Sequence, residues 1–193
     1  TFAITAKTLT VTANDIQKVY DGQPSTGWTA TYQGFVPGEN ELNLTGALTF
    51  SGVGTTATDV GSYPITPSGL GSNNYDLNFV DGTVLNTPLT VTVTPDLLSK
   101  TYGEVDPMFT YALSATSSAT LSVVGALSRA SGENVGDYAI GLGTLSNTNY
   151  TLNLGAEDFE ITPLAVDVIP NVLSKTYGEA DPLLTYTLST TSS

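Results

Sequence analysis

The ten tyrosines of this 193-residue chain fall on only four recurring positions: Tyr20, Tyr102 and Tyr177; Tyr32, Tyr111 and Tyr186; Tyr63 and Tyr138; Tyr75 and Tyr150. A residue type that returns only in phase serves a repeated fold, so the chain is an array of one small module and its function belongs to the array. The neighbours keep the same register. Val91, Val93, Pro95, Leu98, Lys100 and Tyr102 return 75 positions later as Val166, Val168, Pro170, Leu173, Lys175 and Tyr177. Going backwards, Leu9, Val11, Ile16, Lys18 and Tyr20 lie 82 positions before their partners, Tyr32 and Gly46 lie 79 before Tyr111 and Gly125, and Val60, Tyr63 and Tyr75 lie 75 before theirs. The first unit thus carries three extra residues between Tyr20 and Tyr32 and four between Gly46 and Val60. Insertions of that size belong in loops, because inside a strand they would shift its pairing.

This phase divides the chain into a closing strand of a preceding repeat (1–5), a first repeat (6–88), a second repeat (89–163) and a truncated third repeat (164–193). Thr1-Phe2-Ala3-Ile4-Thr5 matches Asp158-Phe159-Glu160-Ile161-Thr162, so the expectation is a window on a longer polymer. A module of this size buries a modest core, and contact with its neighbours is expected to help.

Local patterns have period two. Leu9-Thr10-Val11-Thr12, Leu89-Thr90-Val91-Thr92-Val93-Thr94 and Leu164-Ala165-Val166-Asp167-Val168 alternate larger apolar residues with polar or small ones and are rich in β-branched types, which predicts half-buried strands. Shorter runs follow at 109–113, 138–140, 150–154 and 159–161. The predicted fold class is all-β, with tandem small β-sandwich-like modules stacked end to end and five to seven strands in each. The alternative is a β-grasp-like α+β module with one short helix near Leu121 to Leu127. Phe159-Glu160-Ile161-Thr162 runs through Pro163 straight into Leu164-Ala165-Val166. A proline there fixes φ and predicts a stiff junction, hence a monomeric rod.

Composition narrows the function. Five Lys plus Arg against eighteen Asp plus Glu give a formal charge of −13, a surface that repels phosphate backbones and anionic lipid, so neither nucleic acid nor membrane insertion is expected. Without histidine or cysteine the usual base-activated nucleophiles and most zinc sites are gone, so no enzyme, no catalytic residue, no metal and no cofactor are expected. The acidic pairs Glu39/Glu41, Glu104/Asp106, Glu179/Asp181 and Asp158/Glu160 supply only part of the six to eight oxygens that Ca²⁺ takes, and read as solvated faces and turn residues.

Lys18-Val19-Tyr20-Asp21-Gly22 recurs as Lys100-Thr101-Tyr102-Gly103-Glu104 and Lys175-Thr176-Tyr177-Gly178-Glu179, the latter two followed by Asp106-Pro107 and Asp181-Pro182. Together with Glu133-Asn134-Val135-Gly136-Asp137-Tyr138 and Asn147-Thr148-Asn149-Tyr150, this resembles the MBG and YDG repeat domains of large bacterial surface adhesins. The first repeat looks more like the YDG variant, the second and third like the variant with Tyr-Gly. The resemblance implies tandem extracellular modules forming stalks in filamentous-haemagglutinin-like adhesins at the bacterial cell surface, with neighbouring repeats of the same polypeptide as the first partners.

Two residue classes carry sharper alternatives. Lys18, Lys100 and Lys175 read as lysines covering apolar surface and pairing with an acidic neighbour; the alternative is a lysine joined to Asn or Asp by an intramolecular isopeptide bond. Trp28 is the single tryptophan and sits in the expanded stretch of the first unit, which makes it the candidate ligand contact; local packing of that longer loop is the other reading. The competing function is a glycan- or matrix-binding repeat acting by avidity. The in-phase tyrosines, among them Tyr102, Tyr111, Tyr138 and Tyr150, are expected in the core, and the third repeat is expected to lack its closing strands, leaving weak head-to-tail association open to it.

Overall fold

The computed structural model describes residues 1–117 and 120–190; positions 118 and 119, and the last three of the expected third repeat, 191–193, lie outside the described residues. The first repeat has seven strands: β1 (Lys7–Ala13), β2 (Ile16–Val19), β3 (Ala30–Gln33), β4 (Thr45–Ser51), β5 (Gly61–Gly71), β6 (Tyr75–Val80) and β7 (Gly82–Thr87). They form two sheets, ordered β3-β1-β6 and β2-β7-β5-β4. The second repeat follows the same order with β8 (Leu89–Pro95), β9 (Ser99–Thr101), β10 (Tyr111–Ser114), β11 (Ser128–Arg129), β12 (Gly136–Gly141), β13 (Tyr150–Leu154) and β14 (Asp158–Thr162). Its sheets are ordered β10-β8-β13 and β11-β12-β14-β9. After Thr162 come β15 (Val166–Pro170) and β16 (Tyr186–Thr190), an antiparallel pair.

The architecture is all-β, in small modules of mixed sheets. Residues 121–127 are not helical, so the α+β alternative falls; the only helical pieces among the described residues are 3₁₀ turns at Glu41–Asn43 and Val53–Thr55. Two bent ribbons organise each module. β1 pairs in parallel with β6, and after the bends at Asn14-Asp15 and Asp81 their continuations β2 and β7 pair in parallel in the other sheet. Asp15 holds the bend by accepting from Thr83 N at 2.8 Å. Alternation then does its work: Leu9, Val11 and Ala13 of β1 are all buried, and Ala13 packs with Ile65 and Val84 in one buried cluster. In the second repeat Leu89, Val91, Val93, Ile140, Phe159 and Ile161 take the same role.

Glycine recurs at 46 and 125 for a steric reason. Both have positive φ, +82° and +100°, and a Cβ would lie 2.1 Å from Gly69 O and 2.2 Å from Thr144 O. At the first of these the β4–β5 register shifts, between Gly46 and Thr49.

Packing does not follow sequence phase. The chain divides into one compact unit of Thr1–Thr92, Leu113–Val123 and Ser146–Asn153, and another of Val93–Ala112, Val124–Leu145 and Leu154–Ser193. Part of the second repeat therefore folds into the unit that holds the first.

The tyrosine expectation needs correction. Tyr102 is 48% exposed, and Tyr111, Tyr138 and Tyr150 are only half-buried. Each in-phase hydroxyl needs a polar partner, which holds that end of the ring near the surface. Tyr138 Oη donates to Asn134 O at 2.7 Å and Tyr63 Oη to Val60 O at 3.4 Å. Tyr75 alone is buried, against Phe35 edge-on, with its hydroxyl accepting from Val36 N at 3.0 Å and donating to Glu39.

Candidate functional site

The recurring lysine loop has one common element. In each repeat the lysine pairs with an aspartate just downstream: Lys18 Nζ with Asp21 at 2.6 Å, Lys100 Nζ with Asp106 at 2.7 Å, and Lys175 with Asp181. Glu104 and Glu179 turn back to accept from the backbone N–H of Thr101 (2.9 Å) and Thr176 (3.3 Å), closing the turn around Tyr-Gly. Two of the acidic pairs noted in the sequence are thus divided between separate tasks. Among the described residues no three Asp or Glu side chains come together as a metal-holding group.

In the second repeat this loop meets a wider ionic cluster. Lys100 Nζ also lies 2.5 Å from Glu133 Oε2, and Arg129 grips Asp106 through Nε (2.6 Å) and Nη2 (3.0 Å), and Glu133 through Nη2 (2.7 Å). Arg129 Nη1 donates to the carbonyls of Ala130 and Gly132, while its guanidinium lies 5.0 Å from the Tyr138 ring centre and 5.4 Å from that of Phe159. The cations sit inside and the acids outside: side-chain exposure is 3% for Lys100 and 6% for Arg129, against 33% for Asp106 and 68% for Glu133. Bidentate pairing and stacking on aromatic faces are what the guanidinium geometry favours.

The electrostatics are those of a salt-bridge network. Hydrogen bonds from Arg129 and then Lys100 hold Asp106 down at about 2. Lys100 is pushed up by Asp106 and Glu133, and Glu133 is pulled down by Lys100 and Arg129. Amide formation between a lysine and a carboxyl needs a neutral amine and a neutral acid, and each partner here holds the other charged. The Lys100 constellation holds its amine and both carboxyls in their charged forms. Arg129 escaped the sequence reading, although the signal was present: it is the only arginine in an acidic chain.

Trp28 packs against the buried cluster of Ala13, Ile65 and Val84 together with Phe50, the two rings 6.2 Å apart and tilted by 47°. Its Nε1 is buried and has no hydrogen-bond partner. In the second repeat the larger Phe159 stands where the first has Val84, and Phe109 meets it edge-on at 5.3 Å. The partly buried Trp28 ring thus rests on the core of the first repeat.

A third arrangement joins the two sequence repeats inside the first compact unit. Asn149 Oδ1 accepts from Val60 N at 2.8 Å, and its Nδ2 donates to Asp59 Oδ1 at 2.9 Å. The neighbouring Tyr150 ring meets Tyr20 edge-on, 5.8 Å between centres. Leu89 N donates to Asn149 O at 3.0 Å, just as Lys7 N donates to Asn74 O at 3.0 Å in the first repeat. Only Pro88 separates β7 from β8. A short covalent connection on one side and a bidentate amide on the other leave the Asn149 corner little freedom. Sequence phase flagged Tyr150 and the Asn-Tyr segment but assigned them to their own module, because periodicity cannot say which of two neighbours a repeated residue faces.

A single family model, described as MBG domain (YGX type), matches the chain twice, over residues 9–85 and 91–160. The first match takes in the Tyr20-Asp21-Gly22 loop as well. Searches of curated proteins and of solved structures each found no match.

Proposed function

Because the chain belongs to the MBG domain (YGX type) family, as two domains in tandem, we propose that it is a structural stalk or spacer segment of a secreted or surface-anchored bacterial adhesin, holding a distal binding region away from the cell. The observation that carries this reading is the fastening of Asn149 to Asp59 and Val60 beside a single-proline connection. A spacer works by resisting bending, and a repeat fastened to its neighbour by side chains as well as by backbone resists it better than one on a flexible linker. The ionic cluster of the second repeat then serves to hold the loop 102–110 and β11 together. The net charge of −13 suits an extracellular, solvated surface, and among the described residues no helix is long and apolar enough to cross a membrane.

Small-angle scattering on the chain tests the proposal. An elongated particle whose maximum dimension falls in the Asn149→Ala/Tyr150→Ala variant is expected. A compact particle, or one unaffected by the double substitution, would sink the spacer reading.

A further inference from the structure

The chain enters the first repeat along β1 and leaves it along β7, and the strands at these two ends are held by parallel pairing inside one compact unit. β1 runs beside β6 from Lys7 opposite Tyr75 to Thr12 opposite Val80. Their continuations pair from Ile16 opposite Val84 to Val19 opposite Thr87. β1 and β2 thus act as one bent strand and β6 and β7 as the other. The pairing is reinforced at the bend, where Thr83 N donates to Asp15 at 2.8 Å, and at its far end. There Tyr20 N donates to Thr87 O at 2.9 Å, and Thr87 Oγ1 donates back to Lys18 O at 3.1 Å.

The second repeat has the same fastening within its own compact unit. β9 lies parallel to β14, with Ser99 opposite Glu160 and Thr101 opposite Thr162. Tyr102 N donates to Thr162 O at 2.9 Å, and Thr162 Oγ1 donates to Lys100 O at 3.2 Å. Threonine and lysine therefore recur in phase with one shared task. The side chains between them are enclosed: Asn86, opposite Lys18, is 1% exposed, and Ile161, opposite Lys100, is fully buried.

Direction decides how such a pairing fails. A pull on the two ends of a repeat draws its entering strand backwards and its leaving strand forwards. Between parallel strands these pulls are opposed along the strand axis, so the hydrogen bonds that cross that axis must give way together. Strands parted from one end lose them one at a time. Resistance to pulling is set by the barrier to rupture rather than by equilibrium stability, and losing many bonds at once raises that barrier. Only Pro88 separates β7 from β8, so a load on β8 reaches the end of β7 with no slack chain between.

We propose that each repeat is a tension-bearing module, in which the parallel pairing of its entering and leaving strands, closed by the Thr87–Lys18 and Thr162–Lys100 hydrogen bonds, resists end-to-end pulling. The use of this resistance in a stalk rests on the spacer reading, yet the two tests are separable. Rupture force reads the strand pairing, whereas scattering reads the shape of the chain.

Single-molecule pulling on the 193-residue chain tests the proposal. The chain has no cysteine, so pairs of exposed positions serve as handles. Ala6→Cys with Thr90→Cys loads the first repeat along its parallel strands, whereas Ala6→Cys with Asn73→Cys parts β1 and β6 from one end. The first pair is expected to rupture at a force at least about twice that of the second, because its bonds break together. Thr87→Val, which keeps the shape and removes the Oγ1 donor, is expected to lower the first force and leave the second unchanged. Equal forces in the two geometries overturn the proposal, as does a Thr87→Val chain whose forces both match the parent's or fall alike. A high force in the first geometry from a chain that scattering finds compact supports the strand pairing and removes only the spacer reading.

Discussion

Asn149 and Asp59, 90 residues apart, are hydrogen-bonded at 2.9 Å, and the same amide accepts from the N–H of Val60. One side chain thus fastens the second sequence repeat to a loop of the first. Asn149→Ala should lower stability by about 1–2 kcal/mol, the range for losing hydrogen bonds at a partly buried site. Asp59→Ala should cost less, because Asp59 is exposed and keeps water as a substitute. Urea unfolding of the two single variants and the double variant checks this: a double-mutant coupling of about 0.5 kcal/mol or more is expected, and strict additivity would mean the pair contributes nothing.

The ionic cluster predicts acid sensitivity with a definite sign. Asp106 is held at about 2 and Glu133 below its ordinary value of 4.5, so both bind protons more weakly in the folded chain than in the unfolded one. Their contribution is complete above the ordinary carboxylate range and is lost as pH falls through the folded values, from about pH 4.5 towards about 2. Asp106→Asn should flatten this part of the stability–pH curve and lower the melting temperature at pH 7. A curve of unchanged slope would show that Arg129 and Lys100 do not stabilise the charged form.

Two in-phase tyrosines should respond very differently to truncation. Tyr75 is 5% exposed and packs on Phe35, so Tyr75→Ala should cost about 3–5 kcal/mol. Tyr102 is 48% exposed, so Tyr102→Ala should change stability by less than about 1 kcal/mol. Thermal or urea unfolding of both variants settles it, and similar large losses would place the Tyr102 ring in a core.

Trp28 serves as a built-in probe. Its packing on Ala13, Ile65, Val84 and Phe50 predicts blue-shifted emission, slow quenching by acrylamide, and a loss of about 3 kcal/mol in Trp28→Ala. Free quenching together with an unchanged unfolding curve in Trp28→Ala would return the ring to the role of a ligand contact.

The strand-forming runs, the β-branched alternation and the in-phase correspondence of the repeats were legible in the sequence, since local sterics and side-chain period act within a few residues of one another. Gly46 and Gly125 were visible as a recurring pair, although their purpose, clearance from Gly69 O and Thr144 O, was not. What tertiary structure decided was direction. Repetition said that Tyr75 and Tyr150 do the same thing, but one ring is enclosed by its own loop at Phe35 and the other meets Tyr20 of the neighbouring repeat. It also decided the partners of charge: Asp106 lies in the loop just after Lys100, but Arg129 and Glu133 lie far along the chain, and only the folding of the β11-β12-β14-β9 sheet and its loops brings the four side chains together, each ion pair within 3 Å. Period and propensity are properties of a short stretch of chain, whereas a packing partner is a property of two stretches brought together, and the hydrogen bonds of Asn149 exist only after that meeting.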